Sequence, residues 1–77
     1  MNFQPLLDEL ATLLEVPVGA LSAEARMDGF ENWDSLTKVS LIGFVSDRYS
    51  LSLDGDLLER VQTVGELTAM LAQRATV

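Results

Sequence analysis

The residues best placed to do chemistry are Asp34-Ser35-Leu36, directly after Trp33. Aspartate is a good helix N-cap. Its side-chain oxygen can accept from the unpaired amides of a first turn, and its charge suits the positive end of the helix dipole. Ser35 then stands at the mouth of a helix with its hydroxyl toward solvent, and Leu36 begins the face expected to turn inward. A serine held on a rigid helix start is a point of attachment for a group delivered from outside.

The rest of the composition removes most other chemistry. The chain has no histidine and no cysteine, so a Ser-His-Asp or Cys-His nucleophile cannot be assembled from it. Zinc sites built on nitrogen and sulfur are excluded for the same reason. Counting a calcium loop from Asp28 puts Val39 at the twelfth position, and counting from Asp54 puts Gly65 there. Neither supplies the bidentate glutamate that an EF-hand needs. No metal site is expected, and catalysis by the chain itself is not expected either.

Twelve acidic against five basic side chains give a net charge of −7. That sign opposes nucleic-acid phosphate. It keeps a small protein soluble and steers it toward basic surfaces of other proteins. With 77 residues and 48% hydrophobic composition, residues 1–77 are expected to form a single domain around one modest core. No apolar run approaches the roughly 20 residues of a membrane-spanning helix. Met1-Asn2-Phe3-Gln4-Pro5 lacks the basic flank of a secretory signal, so a cytoplasmic location is the expectation.

Helical periodicity supplies the elements that must position Ser35. Phe3, Leu6, Leu7, Leu10, Leu13 and Leu14 recur at helical spacing over residues 3–15, with Pro5 in the first turn and Pro17 beyond the end. Residues 16–33 form a long connection with Ser22 able to cap a short turn and Val18, Leu21, Met27 and Phe30 as apolar pegs. A second helix is predicted over residues 35–49, with Leu36, Val39, Ile42, Val45 and Tyr49 as its inward stripe and Leu41 and Phe44 on the flank. Gly43 in its middle implies close backbone packing or room for a guest. After residues 50–55, Asp56 can cap a single turn. Thr63-Val64-Gly65-Glu66 is a capping box, followed by a last helix to about Arg74. The fold class is all-α, a four-helix bundle of three long helices and one short one.

In this layout the chain resembles the acyl carrier proteins. Asp34-Ser35-Leu36 matches the attachment motif of that family, and Val39, Leu41, Ile42, Tyr49, Leu53, Val61, Thr63 and Val64 match its apolar and capping positions. The resemblance implies a 4′-phosphopantetheine arm, derived from coenzyme A, attached to Ser35 by a phosphopantetheinyl transferase. Acyl groups would be held on it as thioesters for acyl-loading and acyl-processing enzymes, with the carrier acting as a monomer. It also implies an acyl cavity, for which Val39, Ile42, Phe44, Val61, Leu67 and Leu71 are the candidates; the same six can equally be plain core.

Departures from the family pattern point away from general fatty-acid synthesis. Thr37, Lys38, Ser40, Ser46 and Arg48 occupy helix-two positions that are often acidic, Gly43 replaces a usual methionine, and Trp33 precedes the motif. A specialised fatty-acid-like or polyketide-like pathway is expected, with partner docking through Asp28, Glu31, Leu36, Asp54, Asp56 and Glu59. Two other readings stay open: a peptidyl or aminoacyl carrier, and a helical interaction module never modified at Ser35.

Overall fold

The computed structural model describes residues 2–75, the side chain of Ala75 excepted. Four helices follow one another: α1 (Gln4–Leu14), α2 (Ser35–Tyr49), the short α3 (Gly55–Arg60) and α4 (Val64–Ala75). Two single 3₁₀ turns, Val18–Ala20 and Met27–Gly29, break the long connection between α1 and α2. Among the described residues the only extended pairing is one isolated antiparallel bridge, Arg26 with Thr63. No described helix is long and apolar enough to cross a membrane.

Each helix boundary has a local cause. Pro5 sits in the first turn of α1, where its missing N–H costs no bond. The helix ends at Leu14, just short of residue 15, because Glu15 turns left-handed (φ 58°) and the Val16 amide donates back to the Ala11 carbonyl at 3.0 Å. The Asn32 side chain donates to the Leu14 carbonyl at 3.3 Å, covering an otherwise open acceptor. At the other end of α1, the Tyr49 hydroxyl accepts from the Leu6 amide at 3.2 Å and donates to the Asn2 carbonyl at 3.1 Å. The predicted capping box is present at α4: the Glu66 amide donates to Thr63 Oγ1 at 3.1 Å, and Glu66 Oε2 accepts from the Thr63 amide at 2.9 Å. The cap of α3 is Asp54, whose Oδ1 accepts from the Leu57 amide at 2.9 Å, rather than Asp56, which lies inside the helix. Ser22 acts through its carbonyl, which takes the Ala25 amide at 3.0 Å, and not through its side chain.

Leu6, Leu10 and Leu14 of α1 meet Leu41 and Val45 of α2, Leu58 of α3, and Val64, Leu67 and Leu71 of α4 in one core. Leu21 and Met27 peg the long connection into it, as their apolar character in that stretch suggested. Val18 does not; it stays exposed.

The inward face of α2 differs from the predicted stripe. Thr37, Leu41 and Val45, spaced four apart, are the buried residues, whereas Leu36 is 76% and Val39 64% exposed. Seven apolar residues are spread so widely around this helix that periodicity alone leaves its rotation open. Contact with α1 and α3 settles it, and Leu36 and Val39 go to the solvent side.

Gly43 is also on the solvent side, and a Cβ there would meet nothing within 4 Å. Close packing of another backbone does not explain this glycine. Gly65 is different: a Cβ would stand 3.0 Å from the Ala23 carbonyl oxygen, the group to which the Gly65 amide donates. Opposite outcomes follow for one substitution. Gly43→Ala should stabilise the fold by about 0.5–1 kcal/mol, and Gly65→Ala should destabilise it, as urea titration will show. Leu10→Ala or Leu67→Ala should cost about 2–5 kcal/mol in the same titration, since both side chains are fully buried.

Candidate functional site

The site is built on the first turn of α2. Asp34 has extended backbone (φ −121°, ψ −178°) and its Oδ1 accepts from the Thr37 amide at 2.9 Å. This is the predicted N-cap. Bonding from the Thr37 backbone amide, then from its side chain, holds the Asp34 carboxyl below the usual carboxylate range. With the cap supplied by Asp34, Ser35 is the first residue of the helix, is exposed, and its hydroxyl makes no hydrogen bond among the described residues. That hydroxyl is free to react.

The surroundings divide sharply by face. On the outward side, Leu36 and Val39 present apolar side chains next to Ser35. On the side facing α3, Lys38 crosses to the short helix: its Nζ is 2.7 Å from Glu59 Oε1 and 5.4 Å from the centroid of the Trp33 ring. Its side chain is only 18% exposed, because the aliphatic stem lies along the protein and the ammonium alone reaches Glu59. Trp33 and Lys38 line an open crevice of about 360 Å³ together with Arg26, Asp28, Leu58, Glu59, Val61 and Gln62.

The acids named as docking residues do not form one free patch. Asp28 is taken by Arg26, whose guanidinium lies 3.3 Å away. Their hydrogen bond holds the Asp28 carboxyl below its usual range and raises the Arg26 guanidinium, in mutual agreement. Glu59 is taken by Lys38, and Asp54 spends one oxygen on the α3 cap. Glu31 and Asp56 are exposed and make no ion pair among the described residues. The Lys38–Glu59 pair, with Trp33 beneath it, was not foreseen; residues 38 and 59 are 21 apart in the chain, and no periodicity links them.

The six acyl-cavity candidates do not surround one space. Val39 is outside. Phe44 turns its ring to Tyr49, centroid to centroid 6.3 Å, while Leu67 and Leu71 are fully buried among other core side chains. Ile42 is half-buried against the core. Val61 alone borders the crevice. No group of three or more potential ligands that could hold a metal ion occurs among the described residues.

The cap gives a pH-dependent expectation. A carboxyl whose folded pKa is lowered contributes stability that is complete above its unfolded value, near 3.8, and is lost as pH falls through the folded one. Asp34→Ala should therefore lower the thermal midpoint at pH 7, and the gap from wild type should narrow as the melts move below pH 3.8. Ser35→Ala should leave the midpoint close to wild type at both pH values.

Comparison with protein-family models, with curated proteins and with solved structures finds no match to this chain.

Proposed function

We propose that this chain is an acyl carrier, with 4′-phosphopantetheine attached through the Ser35 hydroxyl. The observation that carries the reading is that Asp34 supplies the helix cap and leaves Ser35 exposed, unbonded and rigidly placed as the first residue of α2. A serine used as its own cap would have its oxygen occupied by the backbone. Here it is available to attack coenzyme A at the phosphorus bearing pantetheine. The new bond joins Ser35 Oγ to that phosphorus, and the bond broken releases adenosine 3′,5′-bisphosphate.

A phosphopantetheinyl transferase supplies the metal and takes the hydroxyl proton, which is consistent with a chain that has no histidine. When attached, the arm supplies a thiol that holds acyl groups as thioesters. The chain itself holds its anchor still through the Asp34 cap, and the positive end of the α2 dipole favours negative charge at that point. The residues offer further support on the outward side. Leu36 and Val39, released from the core, make an apolar landing beside Ser35 for the transferase and acyl-processing enzymes, with Glu31, Asp54 and Asp56 as acidic contacts around it. The cargo proposed is that of a specialised fatty-acid-like or polyketide-like pathway in the cytoplasm.

The exposed Leu36 and Val39 also favour a second reading, an interaction module in which Ser35 is never modified. Intact mass separates the two. Incubation with coenzyme A and a promiscuous transferase should add one phosphopantetheine increment to the wild type and none to Ser35→Ala. A folded wild type that gains no mass favours the interaction module.

A further inference from the structure

Among the described residues there are two ion pairs. Arg26–Asp28 lies within the long connection, so Lys38–Glu59 is the one that ties two helices together. Its cation stands at an informative place. Lys38 follows Ser35 by three residues, so the two are neighbours on the helix surface. Side chains on a helix lean toward its N-terminus, and Lys38 does so: its ammonium lies over Trp33, which precedes the cap of α2. The charge is therefore carried back to the end of the helix where Ser35 stands. The chain has five basic residues. Arg26 borders the same crevice but belongs to the long connection, where it pairs with Asp28; Arg48 is in the last turn of α2, Arg60 ends α3 and Arg74 lies in the last turn of α4. Lys38 is the one cation of α2 within a turn of Ser35.

We propose that Lys38 is the counter-ion for the phosphodiester at Ser35, and that it leaves Glu59 to take that role, so that modification loosens α3 from α2. The inference rests on the carrier reading above. Physical chemistry favours the exchange. A phosphodiester is ionised at all ordinary pH values, and its covalent attachment one turn from Lys38 gives it a high effective concentration. Glu59 competes from a side chain that is 67% exposed, against 18% for Lys38, and a pair with one solvated partner is exchangeable. Around the anchor, the Asp34 carboxylate is already negative, so a second negative charge there draws a nearby cation beyond what the helix dipole supplies. The consequence falls on α3, which has six residues, the Asp54 cap and a single fully buried side chain, Leu58. An element held so lightly responds to the loss of one contact by opening more often.

The experiment compares unmodified and modified protein, with modification followed by intact mass, in wild type, Lys38→Met and Glu59→Gln. Amide hydrogen exchange over residues 55–60 is the main readout. In the wild type those amides should exchange about two- to five-fold faster after modification, with α4 unchanged. In Lys38→Met and in Glu59→Gln they should already be fast, with no further change on modification. Trp33, the only tryptophan, gives an independent signal. Its emission should change on modification in the wild type as the ammonium moves, and should not change in Lys38→Met. Full modification without faster exchange in α3 would overturn this inference and leave the carrier reading standing. An equal acceleration in Lys38→Met or Glu59→Gln would overturn it too, since the ion pair would then not be the cause. Absence of any mass increment on the wild type overturns the carrier reading, and this inference falls with it.

Discussion

Three backbone hydrogen bonds decide how this small bundle closes. Met27 donates to the Gln62 carbonyl at 2.9 Å, Val64 to that of Ala25 at 3.0 Å, and Gly65 to that of Ala23 at 3.0 Å. They fasten the middle of the connection between α1 and α2 onto the junction of α3 and α4. A connection this long has a large closure entropy unless it is anchored, and a chain of 77 residues has little core to spend on anchoring it. Backbone pairing does the task with few side chains, helped by Leu21 and Met27. It also explains Gly65, because the strand-like approach of Ala23 leaves no space for a Cβ.

That fastening sets the geometry around Ser35, the proposed attachment point. With residues 23–27 held against residues 62–65, the chain re-enters at Trp33 on the side of the bundle where α3 ends. Lys38 can then span from α2 to Glu59, and the crevice between them opens one turn from Ser35. None of this requires the core to supply a reactive group. The core takes Thr37, Leu41 and Val45 from α2, and the residues left over on the opposite side include Leu36 and Val39. The proposed carrier role draws on what the packing excludes: a free hydroxyl, two apolar side chains in water and one lysine.

The balance of charge around that point is more even than the total suggests. The chain as a whole is strongly acidic, yet Asp28 and Glu59 are each neutralised by a neighbour. A surface steered only by bulk charge would attract basic partners without discrimination. Pairing those acids internally leaves apolar contact at Leu36 and Val39 to choose among the partners of the proposed carrier.

What was legible in the residues was local. Asp34 as a cap, Pro5 at a helix start, the Thr63–Glu66 box and the leucine ladder of α1 all act within one or two turns, and hydrogen-bonding chemistry at that range depends little on the rest of the chain. Hence helix existence and type, and the exposure of Ser35, follow from the order of amino acids by itself. The rotation of α2 did not follow, because apolar residues surround that helix and its inward side depends on which neighbours it meets. The choice of Asp54 over Asp56 turned on where α3 begins, two residues away. The Lys38–Glu59 contact, the crevice and the scattering of the cavity candidates were decided only in three dimensions, since each joins segments whose distance apart is set by the anchored connection and not by any spacing along the chain.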